Sequence, residues 1–253
     1  MSAPTEPAES APVERAPGAT ISPRTAPSPP GDASLSDTVP ESIDAVVDLL
    51  GLVAYGELLA FDRMAADARL APDLRRRAAL SEMAAVEITN YRRLADRLVQ
   101  LRVSPDDAMT PYVTALQAYH DSTEPKDWLE AVTKAYVGDA IADDFFREVA
   151  GFLTGPDRQL VLDVLHDTRY DDFAGQEIRA AIAADPKVAN RLSMWARRLV
   201  GEGLSQAGRV AGDRTALATL IVTGSSDQTG VQELFRRLTA AHTTRMTAVG
   251  LNN

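Results

Sequence analysis

From Pro40 onward, large apolar residues recur at spacings of three and four, the period of a helix with one buried face. The pattern predicts helices at about 42–70, 73–103, 105–120, 127–154, 157–184, 187–212 and 230–249, with a weaker helical stretch near 214–222. Prolines in this region (Pro72, Pro105, Pro111, Pro125, Pro156 and Pro186) mostly fall between or at the starts of these segments. Ser104-Pro105 and Asp185-Pro186 each pair a good N-cap with proline at the first helical position. No run alternates apolar and polar residues with β-branched enrichment, so no strand is predicted. The expected fold is all-α: two long helices, a long crossover connection with its own short helix, two more long helices, and additional C-terminal helices.

Residues 1–40 follow a different rule. They are rich in Pro, Ala, Ser, Thr and Glu, with Ile21 and Leu35 the only large aliphatics after Met1. Such a segment buries too little apolar surface to offset its ordering entropy. The expected division is therefore a disordered Pro/Ala-rich tail over 1–40 and one helical domain over 41–253.

Acids interrupt the apolar stripes at comparable heights. On the first helix Val46, Leu50, Val53, Phe61 and Met64 share a face, and Glu57 falls in its middle. On the second, Glu87 and Asn90 fill a gap in the stripe Leu80, Met83, Leu94 and Leu101. On the fourth, Asp139 lies within Trp128, Val132, Ala135, Ala142, Phe146, Val149 and Leu153. On the fifth, Leu160, Val164, Ala174 and Ile178 flank Asp167 and Tyr170. Buried carboxylates gathered in one layer repel one another unless protons, arginines or metal ions intervene. Hard divalent metals prefer oxygen ligands, so a dinuclear carboxylate site is one reading. The other is a hydrogen-bonded polar layer, with some acids protonated and Asn90 and Tyr170 supplying partners.

Charge and composition narrow the field. The net charge of −10 disfavours sequence-independent nucleic-acid binding. Arg75-Arg76-Arg77 and Arg92-Arg93, with Arg97 and Arg102 beyond, are more simply a solvated helix face than an RNA contact. Without cysteine there is neither a disulfide framework nor a thiolate metal site. No apolar run approaches the ~20 residues of a membrane span, and no basic start precedes an apolar stretch, so a cytoplasmic protein is expected. Gly201-Glu202-Gly203 lies inside a predicted helix and is no phosphate loop.

The segments Tyr55-Gly56-Glu57-Leu58, Ala84-Ala85-Val86-Glu87, Tyr136-Val137-Gly138-Asp139 and Trp195-Ala196-Arg197-Arg198-Leu199 resemble ferritin-like proteins grouped with tRNA 2-methylthio-isopentenyladenosine hydroxylase, in an actinobacterial branch. The likeness spans about residues 43–250. It implies a ferritin-like four-helix bundle that holds two irons with one Glu from each of two helices and a Glu-x-x-His from each of the other two. Carried over, Glu57 and Asp139 are the single-helix acids, and Glu87-x-x-Asn90 and Asp167-x-x-Tyr170 are the paired motifs. Both histidine positions are thus substituted. The histidines present, His120, His166 and His242, stand at no expected ligand position.

An all-oxygen donor set binds first-row metals less selectively than one with imidazoles. One expectation is therefore a carboxylate bundle related to di-iron tRNA hydroxylases, with an altered or degenerate dinuclear site for two iron or manganese ions. The alternative is a metal-free helical module, structural or interacting, without catalysis. The resemblance also implies tRNA as a partner, and a homodimer through an exposed helical face fits the second reading.

Overall fold

The computed structural model describes residues 42–165, 169–213, 219 and 230–252. The expected tail over 1–40 and most of the weak helix near 214–222 lie outside these residues. Within them the chain is helical with no strand, as the periodicity predicts: α1 (Ile43–Asp67), α2 (Leu74–Gln100), α3 (Pro105–Ser122), α4 (Trp128–Lys134), α5 (Ala140–Ala150), α6 (Gly155–Val164), α7 (Arg169–Ala184), α8 (Lys187–Asp213) and α9 (Gly230–Ala248). A π-helical turn, Ala135–Asp139, joins α4 to α5.

The helix ends follow from local chemistry. Asp73 caps α2 by accepting from the Arg76 amide at 2.9 Å, and Asp127 caps α4 by accepting from Glu130 N–H at the same distance. Ser104 caps α3 with Pro105 at its first position. At the end of α2 the Val103 amide donates to Leu98 O and the Arg102 amide to Val99 O, each at 3.0 Å. This is a Schellman turn, and it holds Arg102 at φ 65°, where glycine is the usual occupant. The end of α9 repeats the turn with Gly250 at φ 78°.

The predicted helix over 127–154 is one helical run bent from its ideal phase by the π turn. The predicted helix over 157–184 is instead two helices, α6 and α7. At the break the Leu165 amide still reaches Val161 O, while its carbonyl accepts from Arg147 at 2.6 Å. A side chain from the neighbouring helix thus takes a carbonyl that a continuous helix would have used itself.

α1 and α2 lie along each other, and α4–α5 pairs with α6–α7 in reverse order, α4 against α7 and α5 against α6. α3 forms the crossover and packs on both α1 and α8. Gly51 permits the α1–α3 approach, because a Cβ there would come within 2.3 Å of the Ala108 carbonyl oxygen. The apolar core falls into two clusters. One joins the first half of α1 to α2, α3, α5, α6, Val210 of α8 and the first half of α9; the other joins the end of α1 to α2, α4, α7, the first half of α8 and the end of α9. The acidic positions of α1, α2 and the π turn lie between these clusters along their helices.

Candidate carboxylate centre

Helical phase brings Glu57 of α1 against α2. Its carboxyl is hydrogen-bonded to Glu87, and Asn90 Nδ2 donates to Glu57 Oε2 at 3.2 Å. The same Asn90 nitrogen donates to Val164 O at 3.1 Å, where α6 ends. A peptide carbonyl only accepts, so the amide nitrogen, not its oxygen, must face Val164. Two carboxyl groups in direct hydrogen bond require a proton between them. Burial, then the bond to Glu87, pushes the Glu57 carboxyl well above its usual range.

The π turn delivers Asp139 to the same layer. Burial raises it to about 7, with Lys134 pulling it down and Glu87 pushing it up. One turn further on α5, Asp143 is also raised well above the ordinary carboxylate range, by burial first and then by Asp139 and Glu87. Tyr170, at the start of α7, feels Asp139 and Glu87 as well, and burial keeps its phenol protonated. The structure thus gathers Glu57, Glu87, Asn90, Asp139 and Tyr170 from four helical segments; Asp167 lies outside the described residues. Asp143 was not singled out from the sequence, although its place four residues after Asp139 would have put it on the same face.

Behind Asp139 stands a second polar group that the stripes did not reveal. Lys134 is buried, donates to Thr123 O at 2.9 Å, and lies 5.4 Å from the centre of the Tyr119 ring. Burial lowers its amine to about 8, against the pull of Asp139 and Asp67. Asp67 is raised to about 6 by its own burial, partly offset by Lys134 and Arg63. His120 is lowered to about 2 by burial and by these same two cations, so it is a neutral imidazole. Its Nδ1 has no partner among the described residues.

A cavity of about 260 Å³ opens beside the carboxylates. Leu116, Phe145, Phe146, Leu204, Val210 and Phe235 supply apolar wall, and Glu57, Glu87, Asp139, Asp143, Asp144 and Asp171 reach it from the acidic side. Arg147 and Arg245 are the guanidiniums on its lining. Both meet Asp144, Arg245 at 2.8 Å and Arg147 at 3.7 Å. Helix α9 covers one side, fixed by the Arg237–Glu148 pair at 2.8 and 2.9 Å and by the Tyr136 hydroxyl donating to Arg245 O.

These donors do not fit the di-iron set implied by the resemblance. Asn90, where the resemblance implies an imidazole, meets its neighbours as a hydrogen-bond donor. Among the described residues no three His, Cys, Asp or Glu side chains are grouped so as to hold a metal ion. The arginine face of α2 is partly committed too: Arg76 pairs with Glu177, Arg93 with Asp163 and Arg97 with Asp157. No helix of the described residues is long and apolar enough to cross a membrane.

A family model described as a ferritin-like domain of actinomycetes matches residues 41–224. No curated protein matches the chain.

Proposed function

The chain belongs to this actinomycete ferritin-like domain family, and we propose that it is a degenerate carboxylate bundle, related to di-iron tRNA hydroxylases, that binds a small molecule and performs no oxygen chemistry. The observation that carries this reading is the double commitment of Asn90. Its amide nitrogen bridges Glu57 Oε2 and Val164 O, at the position where the resemblance expects an imidazole ligand. The contact of Glu57 with Glu87 closes the layer further, since burial and this neighbour push the Glu57 carboxyl well above its usual range and so favour a shared proton over a shared cation. Iron cycling with O₂ depends on ligand field and surrounding hydrogen bonds, and both are altered here.

The cavity gives the bundle something to do. It is concave, mostly apolar and edged by a few convergent polar groups, the usual form of a small-molecule site. An inert scaffold has no need to keep such a space against the stability gained by filling it. RNA as the target gains little, with three α2 arginines already paired to carboxylates.

The test is anaerobic loading with ferrous iron, followed by desalting and iron analysis. The wild-type chain is expected to retain iron far below stoichiometry. The double variant Asn90→His, Tyr170→His is expected to retain clearly more, because it restores two imidazoles to the layer. Retention of about two irons by the wild type, the complement of a di-iron bundle, would refute the proposal.

A further inference from the structure

Asp139, Asp143 and Phe146 follow one another by single helical turns into α5, and all three reach the cavity lining. Glu57 is hydrogen-bonded to Asn90 and Glu87. Asp143, in contrast, has no hydrogen-bond partner among the described residues. Burial is the first cause that raises its carboxyl well above the ordinary range, so it stands protonated beside the cavity. A protonated carboxyl donates through its O–H and accepts through its carbonyl oxygen. Asp143 thus offers the cavity both functions without charge, and the described residues use neither.

The charged groups elsewhere on the lining are committed to one another. Arg245 holds Asp144 at 2.8 Å, and Arg147 spends Nη2 on the Leu165 carbonyl at 2.6 Å. Lys134 draws on Asp139 from behind. An ammonium entering the cavity would find Asp144 already paired, and would ionise Asp143 only against the burial that keeps it neutral. A carboxylate would find both guanidiniums engaged. Either charged head would leave water for an apolar wall without a free counter-charge, which is costly.

Resting on the small-molecule reading above, we propose that the cavity binds an uncharged apolar alcohol. Its hydroxyl is seated on the Asp143 carboxyl, and its chain lies along Leu116, Phe146 and Phe235. A hydroxyl donates and accepts at one oxygen, so it meets both functions of a protonated carboxyl at once. At about 30 Å³ per water-sized unit of liquid, the cavity accommodates roughly nine non-hydrogen atoms. A medium-chain alcohol fills that space.

The experiment is calorimetric titration of the full chain, freed of metal by chelator and then assayed for metal, with 1-octanol, 1-methoxyheptane, octylamine and octanoate. At pH 6 the medium lies below the value of about 7 to which Asp139 is raised, so that this carboxyl too is mostly neutral. The probes are alike in their apolar bodies and differ at the head; the ether accepts a hydrogen bond but donates none. Octanol is expected to bind tightest, by about ten-fold or more over octylamine and octanoate and by about three-fold or more over the ether. Asp143→Leu is expected to abolish the preference for octanol over the ether. Should that variant fail to fold, as judged by circular dichroism, Leu116→Trp tests the location instead: by filling the cavity it is expected to weaken octanol by about ten-fold or more. Octylamine or octanoate binding as tightly as octanol, or an ether that matches it, would overturn the ligand class and leave the small-molecule reading standing. Unchanged octanol affinity in Leu116→Trp would overturn the assignment to this cavity. No binding of any probe by a chain that takes up stoichiometric iron would bring down the reading on which the proposal rests. No binding of any probe by a chain that takes up no metal would overturn the proposal itself.

Discussion

Asn90→Leu is the most informative substitution, because it removes the donors while keeping most of the volume. Asn90 is 7 % exposed, so water does not replace what is lost. Two interactions go: the 3.1 Å bond to Val164 O and the 3.2 Å bond to Glu57 Oε2. Val164 ends α6 and is itself buried, so its carbonyl becomes an unsatisfied acceptor, at about 1–3 kcal/mol. The Glu57 bond adds about 1 kcal/mol, and the leucine returns a similar amount through its added apolar surface. The expected net loss is about 1–3 kcal/mol. For a domain of this size each kcal/mol shifts Tm by roughly 2–4 °C, so a fall of about 2–12 °C is expected, with a lower urea midpoint and an unchanged m-value. Asn90→Asp should cost more, because it sets a carboxylate against both the Val164 carbonyl and Glu57. A leucine variant as stable as wild type would refute the reasoning: Asn90 would then not be holding the layer together.

Three further outcomes follow from particular residues. Arg102→Gly should raise stability by about 0.5–1 kcal/mol in urea unfolding, because relief of the left-handed conformation exceeds the added freedom of the unfolded chain; Arg102→Val should lower it. Gly138→Ala should destabilise by about 1–3 kcal/mol through its clash with the Tyr119 hydroxyl, and much of that loss should be recovered in the Gly138→Ala, Tyr119→Phe double variant, read as a thermodynamic cycle. His120 is held neutral with its pKa lowered to about 2, so it contributes stability above pH 6.5 that is lost as pH falls and the unfolded chain takes up the proton. His120→Phe should therefore flatten the decline of stability below pH 6.5, as followed by urea midpoints across that range.

The helical order and most boundaries were legible because the signals are local. Caps such as Asp127 and Ser104-Pro105 act within one turn, and the apolar period of α1 and α2 continues unbroken through Glu57 and Glu87. The meeting of Glu57, Glu87 and Asn90 was legible for the same reason: two ideal helices packed side by side present their mid-length polar residues to each other. The rest depends on departures from the ideal helix. The π turn adds a residue to one turn, which shifts the phase of everything after Ala135, so no single ideal stripe runs from Trp128 to Leu153; Asp143 was within reach all the same, one α-helical turn after Asp139. The break at Leu165 depends on Arg147, 18 positions earlier in sequence, and no local pattern announces it. Lys134 reads as an ordinary helix-surface residue, and only the Thr123 carbonyl and the acids around it explain its burial.

In the proposed reading, hydrogen bonds and a proton close the carboxylate layer where the resemblance implies metal ligands. Infrared difference spectroscopy of the chelator-treated chain against Glu57→Gln tests it most directly. At neutral pH a protonated carboxyl stretch should be present in the wild type and absent, or displaced to another acid, in the variant. A wild-type spectrum showing only ionised carboxylates, with a divalent metal shifting their bands at stoichiometric concentration, would contradict the account.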